Sequence, residues 1–119
     1  MTTENILSIW LGDFKSEKEF YNYIEEIFDE EGDSSSKFMQ DFKIDFIDNQ
    51  FQEAVYFNEN ITTESLGDAS YSKSFLDKLS NSDFENKNSI IIIYDFKYDG
   101  IIQKKDNLKF LGAFNYSKD

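Results

Sequence analysis

SIWLGDFKSEKEFYNYIEEIFDEEGD, residues 8–33, decides how this chain is read. It begins inside an apolar stretch, ENILSIWL over residues 4–11, whose alternation sets Ile6 and Trp10 on one face and Leu7, Ile9 and Leu11 on the other. A strand apolar on both faces is one buried on both sides. Gly12 and Asp13 make a turn, with Gly12 supplying a backbone angle that other residues resist. Ser16 and Glu19 then form a capping box, and Phe20, Tyr23, Ile24, Ile27 and Phe28 recur at helical spacing. The spacing predicts a helix over 16–31. Its far end and the loop beyond hold Glu25, Glu26, Asp29, Glu30, Glu31 and Asp33, where the helix dipole favours positive charge. At the start, Lys15 and Lys18 offset Glu17 and Glu19. Folding alone gives no reason for such an arrangement, so the acids are read as kept for binding.

Beyond EEGDSSS, residues 36–42 predict one or two helical turns with Phe38, Met39 and Phe42 on one side. IDFI, 44–47, reads as a short strand. Residues 48–58 are ambiguous: Phe51, Ala54 and Val55 suit a helix capped by Asp48, while Phe51, Glu53, Val55 and Phe57 alternate as in a strand. Helix is the favoured reading there. Ser70 or Ser72 caps a helix to about residue 80, with Tyr71, Phe75, Leu76 and Leu79 inward. SIIIIYDFK, 89–97, is a strand by its four isoleucines and aromatics. Tyr98-Asp99-Gly100 is a turn, and 108–116 is a second strand antiparallel to the first, with Ile101–Gln103 as a short added rung. The fold class that follows is α+β, one domain over 1–119, with helices packed on one face of a mainly antiparallel sheet.

Composition narrows the function. Aromatic residues make up 18% of the 119, enough for a core despite 30% charged residues. There is no cysteine and no histidine, which removes disulfides, thiolate chemistry and the commonest general base and metal ligand. All 12 basic residues are lysine, so no guanidinium can clamp a phosphate or carboxylate. The N-terminus lacks the basic start and apolar run of a signal peptide, and Ile90–Tyr94 is too short to cross a membrane. A cytoplasmic protein is expected. Residues 1–60 carry 15 acids and 4 lysines, a balance of −11, whereas 61–119 carry 9 acids and 8 lysines, a balance of −1. Nucleic acid and anionic membranes would both be repelled by the first half.

Candidate chemistry is sparse. DEEGDSSS does not fit a calcium loop: starting at Asp29 puts glycine at position 4 rather than 6. The glycines form no phosphate-cradling loop, and carboxylate pairs arise by chance among 24 acids. No enzyme, metal or cofactor is expected. Trp10 reads as a core anchor rather than a ligand contact. Tyr94, Phe96, Tyr98, Phe114 and Tyr116 divide between the two sheet faces, the open-face tyrosines being available as contact anchors. The acidic stretch remains: Glu25, Glu26, Asp29, Glu30, Glu31, Asp33, Asp41, Asp45 and Asp48 are nine acids against two lysines, Lys37 and Lys43. They read as a docking surface for a basic partner.

SIWLGDF, SEKEFYNYIEE, the acidic GD loop, DFKIDFIDNQF, SYSKSF and FLGAFNY, taken in this order, resemble immunity protein family 22 of bacterial polymorphic-toxin systems. The resemblance runs from residue 8 to about 116. It implies an α+β antitoxin that binds a cognate toxin domain and blocks it, and it carries over no active site and no residue-level binding pattern. The acidity suits a nuclease toxin, whose substrate groove must be positive. The alternative is a small acidic cytoplasmic adaptor or regulatory module with no link to toxins.

Overall fold

The alternation of apolar residues from Ile6 to Leu11 produces the central strand of the fold, β1 (Thr2–Gly12). In the computed structural model the described residues are 2–28, 30–32, 34–44, 51–62, 75, 78–105 and 107–116. After β1 come α1 (Glu17–Ile24), a small hairpin of β2 (Ile27–Phe28) and β3 (Ser34–Ser35), and α2 (Lys37–Phe42). β4 (Gln52–Tyr56), a 3-10 turn at Asn81–Phe84, β5 (Ser89–Phe96), β6 (Lys104–Lys105) and β7 (Leu108–Asn115) complete the order. The five-stranded sheet runs β4-β5-β1-β7-β6, every neighbouring pair antiparallel. Both described helices pack on one face, which makes the fold α+β as expected.

That face holds Trp10, Phe14, Phe20, Tyr23, Phe38, Met39, Phe42, Ile91 and Ile93 in one cluster. Trp10 is fully buried among the rings of Phe38, Phe42, Tyr98 and Phe110, at centroid distances of 5.0, 6.0, 5.3 and 5.0 Å. Its Nε1 finds no hydrogen-bond partner among the described residues. This tryptophan is used for its apolar area. The opposite face of β1 packs Leu7, Ile9 and Leu11 with Ile61, Phe75, Leu79, Phe84, Ile90 and Ile92. The strand read as buried on both sides is so.

Several expectations are corrected. α1 ends at Ile24, with Glu25 already extended, and 27–28 are a strand. Most helix stability comes from tertiary packing; Phe20 and Tyr23 use up the floor available to α1, while the α2 residues Phe38, Met39 and Phe42 cover the rest. Two more turns would have gained no apolar floor and would have set acids against the dipole. Unwinding resolves that conflict. Residues 52–56 are a strand, not a helix; their alternation turns Ala54 and Tyr56 toward the helix side and Phe57 toward the other. β5 and β7 are not antiparallel to each other, because β1 lies between them and pairs antiparallel with both. A strand apolar on two faces belongs in the middle. The added rung is Lys104–Lys105 rather than Ile101–Gln103, lysines being well suited to an exposed edge. Gly12 does not have a left-handed backbone; a Cβ there would lie 2.6 Å from both Phe14 Cε2 and Ser89 Oγ, so the glycine is needed for space. Tyr94, Tyr98 and Tyr116 are all buried. Both faces of the sheet are covered, which leaves these three no open face. The strand at 44–47 and the helix from 70 or 72 fall largely outside the described residues, though Ile44, Phe75 and Leu79 are buried.

Candidate functional site

The helix that stops early creates a different feature. Ile27 pairs with Ser35 and Phe28 with Ser34, the two rungs of a short hairpin. Gly32 takes a φ of +88° at the turn, a conformation natural to glycine. Five of the nine acids expected to form a docking surface lie within the described residues; Asp29, Asp33, Asp45 and Asp48 do not. Glu25 caps α1 and is exposed, Glu26 is half-buried, and Glu30 and Glu31 are exposed in the hairpin turn. Asp41 is used otherwise. Half-buried on α2, it accepts a hydrogen bond from the Tyr23 hydroxyl at 2.9 Å, which ties α2 to α1.

Sequence reasoning missed two residues here. Ile27 and Phe28 fit the helical stripe, yet they lie in a strand and stand 71% and 67% exposed. The signal that could have found them is their flanks. Acids precede and follow the pair, and a glycine then a serine run lie at the spacing of a short hairpin. Beside the pair lies a groove of about 620 Å³ between the hairpin and the start of α2, lined by Ile27, Phe28, Ser34, Ser35, Ser36, Lys37 and Gln40. Its wall is fixed from below: Ser36 Oγ accepts from the Met39 N–H at 3.1 Å and caps α2. Its polar groups are loosely engaged, Gln40 Nε2 and Ser35 Oγ meeting only at 3.5 Å.

A second groove, of about 710 Å³, lies between α1, α2 and the approach to β7, with Lys18, Glu19, Asn22, Lys37 and Asn107 on its walls. Ser16 Oγ accepts from the Glu19 N–H at 3.1 Å, while the Glu19 carboxylate accepts from Asn107 Nδ2 at 3.3 Å. The predicted capping box is therefore half used, and Glu19 fastens α1 to the β6–β7 turn. Among the described residues no group of three His, Cys, Asp or Glu could hold a metal ion. No described helix is long and apolar enough to cross a membrane.

These features define a small α+β domain that presents an acidic hairpin carrying two exposed apolar side chains. The chain belongs to the family described as Immunity protein 22, which matches residues 7–117. That membership gives it an immunity-protein role, and with it a protein partner, a toxin. No curated protein and no solved structure matches the chain.

Proposed function

We propose that this protein neutralises a cognate toxin domain of a polymorphic-toxin system by binding it in the cytoplasm, and that it catalyses nothing itself. Family membership carries this reading. The docking surface is the acidic stretch of residues 25–48, centred on Glu25, Glu26, Glu30 and Glu31. The partner is basic, neither a nucleic acid nor a membrane, because the −11 balance of residues 1–60 repels polyanions and attracts polycations. A nuclease meets that description, since its substrate groove must attract phosphates.

Co-expression tests it. Cells carrying the toxin domain encoded beside this chain should stop growing, and producing this protein should restore growth. The purified pair should form a complex in which toxin activity is lost. A protein that neither rescues growth nor binds that domain would overturn the assignment.

A further inference from the structure

We infer that the β2–β3 hairpin is the anchor of the toxin complex, with Ile27 and Phe28 entering an apolar recess on the toxin that is rimmed by lysine or arginine. The inference rests on the toxin-binding reading and assigns it residues. Two adjacent large apolar side chains, each more than two-thirds exposed, give nothing to the core of this domain. Removing such surface from water is the main favourable term of association. The groove beside them offers serine hydroxyls and the Gln40 amide to a partner's backbone. In a typical interface, apolar anchors at the centre are ringed by polar groups that exclude water. Glu25, Glu26, Glu30 and Glu31 supply such a ring.

The ring also chooses the occupant. A second copy of this chain, docked hairpin to hairpin, would press two sets of carboxylates together, and like-charge juxtaposition at an interface is strongly unfavourable. A basic protein surface meets them with opposite charge. Apolar anchors and acidic rim together specify a partner surface that is concave, apolar at its centre and positive at its edge.

The test compares Ile27→Ser/Phe28→Ser with Glu25→Gln/Glu30→Gln, using a catalytically silenced form of the toxin domain encoded beside this chain as the probe. Both variants should fold, since all four side chains are exposed; circular dichroism and thermal melting check this. The serine pair should weaken binding roughly 100-fold or more, mainly through faster dissociation, as loss of central anchors does. The glutamine pair should mainly slow association. A folded serine variant that binds within about threefold of the parent would overturn the inference alone and leave the immunity role intact. Failure of the parent to bind would remove both. Sedimentation completes the comparison: a parent dimer that the serine pair dissociates would overturn the inference in favour of self-association, and a monomeric parent supports it.

Discussion

At Asp95 the backbone has a φ of 56°, and Asn5 across the sheet has a φ of 65°, both in the left-handed region that asparagine and aspartate tolerate best. They mark the irregularity where the β1–β5 register slips between Thr2 and Leu7. The buried Asp95 carboxylate accepts from the Asn5 N–H at 2.9 Å and from the Tyr116 hydroxyl at 2.7 Å through the same oxygen. Asp95→Ala should therefore lose roughly 2–4 kcal/mol in urea unfolding, because the Tyr116 hydroxyl and the Asn5 N–H lose this acceptor and alanine resists a left-handed backbone. Asp95→Asn keeps an acceptor oxygen and suits the backbone, so its loss should stay below about 1 kcal/mol. Equal losses would mean that the charge itself, rather than the acceptor, holds this corner. Tyr98 gives a pH test. Burial raises its pKa above the ordinary value near 10, and the negative charge of Asp99 adds to this. Ionisation would also break the hydrogen bond that its hydroxyl donates to the Ile102 carbonyl at 3.0 Å. The folded state holds the proton longer than the unfolded one. That contribution is complete below pH 10 and is lost as pH rises through the raised folded value. The stability advantage of the parent over Tyr98→Phe should thus shrink as unfolding is measured from about pH 9 upward through that range. A constant difference would contradict it.

At the scale of elements, the sequence was most legible where pattern and burial agree. β1 and β5 carry enough contiguous apolar residues to fix both identity and place. α2 is short but puts Phe38, Met39 and Phe42 on one side, all buried. Misreadings came where local pattern met a tertiary limit. Ile27 and Phe28 continue a helical stripe perfectly well, but periodicity cannot report that the floor beneath has ended. The acids after Ile24 did report it, since a continuous helix would have set them against its dipole. The anomaly was real and its meaning was structural first: the helix stops, so the acids at Glu30 and Glu31 oppose no dipole. β4 shows the same limit, because an edge strand with half-exposed sides shows no clear period. α2 depends on its cap. Six residues are too few for a helix to persist unaided, and Ser36 Oγ satisfies the buried Met39 N–H. Ser36→Ala should lower unfolding free energy by about 1 kcal/mol and, by loosening the groove wall, weaken toxin binding too. Ser36→Asp or Ser36→Asn should restore much of the stability, as either can cap a helix. Loss with no such recovery would show that the small size of Ser36, not its hydroxyl, is what α2 requires.

For the whole molecule, charge is the property that pattern reading conveyed best and placed least well. The −11 balance of residues 1–60 is independent of fold. Which surface it occupies depends on a hairpin that no periodicity announced. Lys104, Lys105 and Lys109 lie in the β6–β7 pair at one edge of the sheet, while Glu30 and Glu31 are exposed in the turn of the separate β2–β3 hairpin, so the molecule carries charges of opposite sign on different elements. If the toxin is basic, as proposed, such a charge distribution would turn it before contact, since fields act over about 10 Å at 0.1 M salt. Steering of this kind accelerates encounter and leaves the docked state largely unaffected, because anchoring apolar contacts govern dissociation. Stopped-flow measurement across salt should separate the two. Association should slow roughly tenfold or more from low to near-molar salt, while dissociation changes only a fewfold. The Glu25→Gln/Glu30→Gln variant should show a shallower salt slope with dissociation little altered. The Ile27→Ser/Phe28→Ser variant should keep the parent slope and dissociate faster. An association rate flat in salt would mean that the acids solubilise the domain without guiding its partner, and the apolar hairpin would then have to find the toxin unaided.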